Sequence, residues 1–203
     1  MHYHHTTSKK QTADAVSMLS KKLRAGSVYR REELASASKA VDRHLIQLQQ
    51  KKRVQKLAQG LYYVPRTSAY GVLPPRDETL VAAFLRDKNF LIFSPSGYNT
   101  LSLGSNQLYN RTVVYNHKRH GIFTFGKRSF DFRMKPCFPK KLSPEFLFVD
   151  LLNNINELAE ENDEMLLHAR QRAKDFDSRK LHHALSKYAN MSTKKTVRGW
   201  LNA

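Results

Sequence analysis

The sequence predicts an α+β protein: an N-terminal winged helix-turn-helix followed by a mixed α/β domain with a helical C-terminal segment. Apolar residues recur at helical spacing between residues 12 and 50, short apolar and alternating runs mark strands, and helical patterns dominate residues 143–203. A chain of 203 residues holds one large domain or two small ones. We expect a winged helix-turn-helix with a basic N-terminal arm at residues 1–66 and an α/β domain at residues 77–203.

The first domain opens with a helix over residues 12–23, whose apolar side chains fall on one face. Residues 28–29 form a short extended segment, and residues 31–35 form one or two helical turns. A second helix runs from Lys39 to Gln50, with Ser38 as its N-cap. Its apolar stripe is Val41, Leu45 and Leu48.

A β-hairpin follows, with strands at residues 54–57 and 61–64 and a turn at Ala58-Gln59-Gly60. Pro65 ends the second strand. Helix, short strand, helix, turn, helix and hairpin is the element order of a winged helix-turn-helix. Residues 65–78 are rich in Pro, Gly, Ser and Thr and are interpreted as a linker.

The second domain begins with a helix from Asp77 and a buried strand at residues 89–93. A helix is expected over residues 96–103, closed by Gly104. Three strands follow at residues 112–115, 122–125 and 130–134, the first two joined as a hairpin. Three further helices have start signals at Ser143-Pro144, Asp177 and Ser192.

The charge is concentrated near the N-terminus. The whole chain carries +18, and residues 1–70 hold 14 of the 35 Lys and Arg but only 4 of the 17 Asp and Glu, a net charge of +10. An excess of this size favours a polyanionic partner, either nucleic acid or an anionic membrane surface. Its concentration in one third of the chain indicates a local electrostatic footprint.

Several classes of protein are excluded. The single cysteine, Cys137, forms no disulfide framework, and no apolar run approaches the roughly 20 residues that span a bilayer. Residues 1–7 lack the apolar region of a secretory signal, so we expect a cytoplasmic protein with no membrane partner. We also expect no enzyme, no cofactor and no metal site, because the chain has no Gly-rich phosphate loop, no complete nucleophile elbow and no paired carboxylates for Mg²⁺.

The second helix of the motif carries the candidate DNA-reading residues. Lys39, Arg43 and Gln47 recur every four residues and can donate to base edges, and Ser38 can reach a base or a phosphate. The cations expected at flanking phosphates are Lys51, Lys52, Arg53 and Lys56. Further contacts to the DNA backbone are possible for Lys9, Lys10, Lys21, Lys22, Arg24, Arg30 and Arg31. The alternative interpretation is that the helix simply presents a solvated polar face.

Residues 117–120, His-Lys-Arg-His, form a second basic cluster. An exposed polar turn is the slightly favoured interpretation, and a second contact with nucleic acid or a partner is the other.

Four segments carry a family resemblance: Gly26–Tyr29, Glu33–Leu34, Ser38–Leu48 and Arg53–Pro65. Together they resemble the N-terminal winged helix of the abortive-infection E antitoxins of type IV toxin–antitoxin systems, most clearly in the closing Gly60-Leu61-Tyr62 and Pro65. The run Phe93–Leu101 with Leu103-Gly104 is similar to that family's second domain, and the resemblance ends near residue 135. It implies a protein that represses its own two-gene operon by binding operator DNA and counters a nucleotidyltransferase toxin.

Two alternatives stay open. The chain could be a stand-alone winged-helix transcription factor without a toxin, whose second domain mediates dimerisation, or a nucleic-acid-processing enzyme. The sequence does not fix the oligomeric state.

Overall fold

The computed structural model describes residues 16–103, 111–158 and 162–201. Contacts divide the chain into two compact units, Met1–Lys88 with Thr124–Arg128, and Asn89–Phe123 with Ser129–Ala203. Both units contain helices and strands. The protein is therefore a mixed α/β protein, and its largely antiparallel sheets are compatible with the α+β class.

The first unit starts with a helix, α1, that covers residues 16–22 of the described chain. The elements that follow in chain order are β1 (Val28–Arg30), α2 (Arg31–Ala35), α3 (Val41–Gln50), β2 (Gln55–Ala58) and β3 (Leu61–Tyr63). The three strands form an antiparallel sheet in the order β1-β3-β2. The buried side chains that join the helices to this sheet are Leu19, Leu34, Val41, Leu45, Leu48, Val54 and Tyr62.

Residues 65–78 were expected to be a linker, but residues 66–73 form a second hairpin and residues 77–78 begin the next helix. Strands β4 (Arg66–Ser68) and β5 (Gly71–Leu73) pair with Thr67 opposite Val72. Pro and Gly here end strands and make a turn, since Gly71 has a positive φ of 111°. Both strands are exposed along their whole length.

Helix α4 (Asp77–Leu85) also lies in the first unit, which therefore extends beyond residue 66. The guanidinium group of Arg30 holds it there. Its Nε donates to the carbonyl of Ala83 at 2.7 Å, and its Nη2 donates to the carbonyl of Phe84. These carbonyls lie in the last turn of the helix, where cations are favourable.

The second unit is built on a four-stranded sheet, although the end of β8, the turn after it and the first residue of β9 (Thr124–Arg128) are counted with the first unit. Its strands are β6 (Phe90–Phe93), β7 (Thr112–Asn116), β8 (Gly121–Phe125) and β9 (Arg128–Met134), in the spatial order β6-β7-β9-β8. The expectation of a β7–β8 hairpin is wrong, because β9 lies between these strands and pairs parallel to β7. Burial explains the order: Phe130 and Phe132 of β9 are fully buried, whereas most of β8 is partly exposed at the sheet edge.

Helices α5 (Pro144–Asn153), α6 (Asn162–Arg172), α7 (Ser178–Tyr188) and α8 (Met191–Leu201) complete the second unit. Ser143 and Asp177 cap α5 and α7 as predicted, accepting hydrogen bonds from the backbone of Phe146 and Lys180. Helix α8 begins earlier than predicted, because the side chain of Asn190 caps it instead of Ser192, accepting from the backbone of Thr193 at 2.8 Å.

One predicted helix is a 3₁₀ helix, at Pro95–Leu101, and its expected end at Gly104 lies outside the described residues. Short 3₁₀ turns also occur at Ile155–Glu157 and Ala173–Asp175. None of the helices in the described ranges combines the length and the apolar character that crossing a bilayer requires.

Candidate nucleic-acid interface

Helix α3 has two sharply different sides. Val41, Leu45 and Leu48 are buried as their spacing predicts, and His44 is buried beside them with 2 % of its surface exposed. The opposite side is exposed and includes Asp42, Arg43, Ile46 and Gln50, with Lys39 exposed just before the helix. Gln47 is half-buried at the border between the two sides. The burial of one face fixes which side chains α3 presents to solvent.

Ser38 is not the N-cap of α3 that the sequence predicted. The helix begins at Val41 with Ala40 at the N-cap position, and the Ser38 side chain is only 7 % exposed. Its Oγ lies 2.7 Å from Nδ1 of His44 and accepts a hydrogen bond from the backbone of Ala40 at 3.1 Å. The hydroxyl therefore stabilises the turn before α3. Ser38 is buried because its hydroxyl pairs with the buried ring of His44, six residues later.

The exposed cations at this site form no ion pair with any of the described residues. No ion pair or side-chain hydrogen bond in the described ranges engages the following residues: Lys39, Arg43, Lys51, Lys52, Arg53 and Lys56. All six are exposed. Positive charge is thus available at both ends of α3 and along β2 for an external anion.

The turn after α3 has a defined geometry. The backbone of Arg53 donates to the carbonyl of Leu48 at 2.9 Å, and that of Lys52 donates to Gln49 at 2.9 Å. This is the hydrogen-bond pattern of a Schellman cap, in which glycine usually occupies the left-handed position. Here Lys52 occupies it, with a φ of 54°. A cation is thus held at a strained position beside the end of α3.

The hairpin β2–β3 turns at Gly60, whose φ is 69°. Lys56 on β2 is exposed and pairs in register with Tyr62, while Leu61, Tyr62 and Tyr63 on β3 are buried. The buried strand anchors the hairpin to the sheet, so that its exposed strand presents Lys56 to solvent.

Asp42 is an acidic residue on the exposed side of α3, and it is neutralised. Arg31 of α2 binds it with both arms: Nε donates to Oδ1 at 2.6 Å and Nη2 to Oδ2 at 2.5 Å. These hydrogen bonds from Arg31 hold the pKa of Asp42 below its ordinary value, and the Asp42 carboxylate raises the pKa of Arg31.

Three of the cations that the sequence offered for the DNA backbone make contacts within the fold. Arg31 binds Asp42 and Arg30 binds the end of α4, while Nζ of Lys22 donates to the carbonyl of Glu33 at 2.6 Å and to Oγ of Ser36 at 2.8 Å. Lys21 and Arg24 are exposed, and Lys9 and Lys10 lie outside the described residues. Carbonyl and carboxylate oxygens near the ends of helices bind nearby cations. Composition alone does not show which cations make these contacts.

Ile46 is a surface residue that sequence analysis missed. It is 55 % exposed and lies three residues after Arg43 on the same side of α3. The exposure of Ile46 could have been predicted from the sequence, because Ile46 does not lie on the apolar face formed by Val41, Leu45 and Leu48. An exposed isoleucine on a polar helix face is suited to an apolar contact such as the methyl group of thymine.

The second basic cluster, residues 117–120, connects β7 to β8. The Asn116 side chain organises it, accepting from the backbones of Lys118 and Arg119 at 2.8 and 2.7 Å. His117 stacks on Phe138 with ring centroids 4.7 Å apart and its Nδ1 lies 2.8 Å from the carbonyl of Lys135. The segment is therefore a structured connection held by a buried asparagine.

The described residues define a mixed α/β chain with an exposed, basic helix face in its first unit. The chain belongs to the DUF6088 family, a family of unknown function, which it matches over residues 16–164.

A solved structure similar in fold is that of the RV2827C protein from Mycobacterium tuberculosis. It is 15 % identical in sequence, and the alignment covers 95 % of this chain and 76 % of that one, with a TM-score of 0.55. No curated protein matches the chain significantly.

Proposed function

We propose that the first unit is a winged helix-turn-helix that binds double-stranded DNA, and that the protein is a transcription regulator of the cytoplasm. In this proposal α2 and α3 are the helix pair, α3 is the recognition helix and β2–β3 is the wing. The order β1, α2, α3, β2, β3 after α1 supports it, as does the antiparallel pairing of β1 with β3.

The observation that carries the proposal is the exposed side of α3. Arg43 on α3 and Lys39 just before it are exposed without an ion pair in the described part of the chain, and Asp42, the acidic residue of α3, is neutralised by Arg31. An α-helix fits the major groove of B-DNA, and arginine is the commonest reader of guanine there.

The cations around α3 support a role in phosphate binding. Lys51, Lys52 and Arg53 follow the end of α3, and Lys56 lies on the proposed wing, all of them exposed. Phosphate contacts of this kind set the orientation of a protein on the duplex and carry much of its affinity.

The biological part of the proposal is that the protein is the antitoxin of a type IV toxin–antitoxin system. The resemblance of residues 26–65 to the abortive-infection E antitoxins supports it, and a repressor of its own operon needs the DNA-binding unit described above. The second unit would then serve to counter a nucleotidyltransferase toxin.

DNA binding is tested with the full chain and a labelled duplex from upstream of its own reading frame. We expect binding to this duplex to be at least about 10³-fold tighter than to a shuffled duplex of equal length at physiological salt. Equal affinity for the two duplexes would contradict an operator-specific role, and the absence of binding to either would remove the proposal.

The antitoxin assignment is tested separately by the neighbouring gene. We expect a nucleotidyltransferase directly downstream, whose expression arrests growth and whose toxicity is relieved by coexpression of this protein. A DNA-binding protein with no such neighbour would be a stand-alone regulator.

A further inference from the structure

A groove of about 810 Å³ opens on the surface of the first unit. Its volume falls within the range of roughly 300–1,000 Å³ that small-molecule sites occupy. The groove lies between the segment after α1, the turn after α3, the start of β2 and the β4–β5 hairpin, all within the first unit.

Part of the lining of the groove is apolar. Val54 and Val64 are buried residues that contribute to it, and Leu23, Pro65 and Val72 add further apolar surface. Val72 is 62 % exposed although it is a large aliphatic residue. An apolar concave surface of this kind favours a ligand with an apolar body.

The hairpin wall of the groove is held in place by a buried tyrosine. The Tyr63 hydroxyl donates to the carbonyl of Leu73 at 2.7 Å and accepts from the backbone of Arg66 at 3.3 Å. These two bonds join the ends of β4 and β5 to the core sheet, so that Thr67 and Val72 line a preformed surface.

The charged residues of the groove all have the same sign. Lys52, Arg53 and Lys56 contribute to the lining, none of them ion-paired within the described chain, and no acidic residue lines the groove among the described residues. An anionic group is the complement of these cations. Nucleic-acid phosphate alone does not satisfy the site, since it offers nothing to cover the apolar surface that Leu23, Pro65 and Val72 leave open.

We propose that this groove binds a small amphiphilic organic anion, a carboxylate or sulfonate attached to an apolar body, and that the bound anion competes with DNA for Lys52, Arg53 and Lys56. The competition rests on the proposed DNA-binding function, whereas the ligand site does not. The groove thus makes the regulator responsive to a small molecule, which weakens DNA binding by occupying cations that would contact phosphate.

The first test is a fluorescence titration of the full-length protein with 1-anilinonaphthalene-8-sulfonate. We expect saturable binding at one site, weakened about tenfold or more by Val72→Asp, which puts a negative charge in the lining, and several-fold by Lys56→Gln. Matched controls are Ile122→Asp and Lys187→Gln, exposed positions in the second unit, which should leave the titration unchanged. Non-saturable binding, or equal effects of the groove variants and their controls, would overturn the site.

The second test examines the chemistry of the ligand by displacement of the bound sulfonate. Decanoate should displace it, whereas decanol, which lacks the charge, and acetate, which lacks the apolar body, should displace it far less. Equal displacement by decanoate and decanol would overturn the anion requirement. Conversion of a dimer to a monomer by Val72→Asp would show that a second copy of the chain fills the groove and would likewise overturn the proposal.

The third test adds operator duplex to the complex with the sulfonate. Release of the sulfonate, together with a several-fold loss of DNA affinity in saturating decanoate, supports competition. DNA binding without release would overturn the competition only. The absence of any DNA binding would overturn both the proposed function and the competition between the anion and DNA. The ligand site would still be supported by a positive first titration.

Discussion

Arg31 and Asp42 form a two-pronged ion pair between α2 and α3, with Nε–Oδ1 and Nη2–Oδ2 distances of 2.6 and 2.5 Å. Both side chains are largely exposed, so the pair makes little difference to stability in water. Its consequence is local: it neutralises the carboxylate that lies beside Arg43 on the exposed side of α3. A surface proposed to approach phosphates thereby loses the repulsion that a free Asp42 would cause.

Removal of this pairing should impair DNA binding. We expect Arg31→Ala to weaken operator binding several-fold, because Asp42 then carries an unpaired negative charge on the proposed DNA face. The double variant Arg31→Ala with Asp42→Asn should recover most of the loss, and fluorescence anisotropy of a labelled duplex measures both. If the double variant binds no better than the single one, Arg31 acts by contacting DNA itself.

The same pair has a pH signature. Arg31 lowers the pKa of Asp42, so the carboxylate stabilises the folded state above the ordinary pKa of aspartate, and that contribution is lost as the pH falls through the lowered value. Carboxyl carbon chemical shifts of Asp42 should therefore titrate below the ordinary range in the native protein and return to it in Arg31→Ala. Identical titrations in both proteins would show that the pair does not form in solution.

Replacement of Lys52 by glycine should change protein stability and DNA affinity in opposite directions. Its left-handed backbone strains a side-chain-bearing residue, so Lys52→Gly should raise the free energy of unfolding by about 1 kcal/mol. The same change removes a proposed phosphate contact and should weaken binding to all duplexes. Urea denaturation and anisotropy measure the two effects, with Lys52→Ala as the control that loses the charge but keeps the strain. A stability of Lys52→Gly below that of Lys52→Ala would contradict the turn geometry.

Arg43 and Lys56 should affect DNA binding in different ways. Arg43→Ala removes a proposed base contact and should cost about 1–3 kcal/mol of discrimination at one base pair. Lys56→Ala should weaken operator and non-operator binding alike. It should also make the negative slope of log K against log salt shallower by roughly 0.9. Salt titrations on operator and single-substitution duplexes separate the two. An unchanged base preference in Arg43→Ala would argue against the placement of α3 in the groove.

Local signals predicted much of the first unit. The spacing of Val41, Leu45 and Leu48 gives the buried side of α3, and it follows that Arg43 is exposed. In the second unit the caps at Ser143 and Asp177 were equally predictable, because each depends on a hydrogen bond from the backbone three residues along the chain.

Features that depend on distant partners were not predictable in this way. The neutralisation of Asp42 requires Arg31 from another helix, the burial of Ser38 requires His44, and the position of β9 between β7 and β8 depends on which strands bury phenylalanines. The hairpin at residues 66–73 was mistaken for a linker because its strands are short, exposed and flanked by prolines. Composition describes such a segment, but the Tyr63 hydroxyl that holds it comes from a strand of the core sheet.

The core of the second unit contains a buried polar network whose stability can be tested. Asp150 of α5 is 3 % exposed and accepts hydrogen bonds from the hydroxyls of Tyr98 and Tyr115 at 2.7 and 2.8 Å. Burial raises the pKa of Asp150, and burial beside this carboxylate raises the pKa of both tyrosines far above their ordinary value. Both hydroxyls thus remain protonated donors that need an acceptor.

Asp150→Asn should destabilise the protein by about 1–3 kcal/mol, because one tyrosine hydroxyl then faces the NH2 of the amide, which donates and cannot accept a hydrogen bond. Urea denaturation measures this loss, and Asp163→Asn at an exposed position is the matched control that should change stability little. The triple variant Tyr98→Phe, Tyr115→Phe, Asp150→Leu removes donors and acceptor together and should lose less stability than Asp150→Asn alone, since no polar atom of the network is left unpaired. If the triple variant is the less stable of the two, the network contributes net attraction and its role is more than mutual satisfaction of buried polar groups.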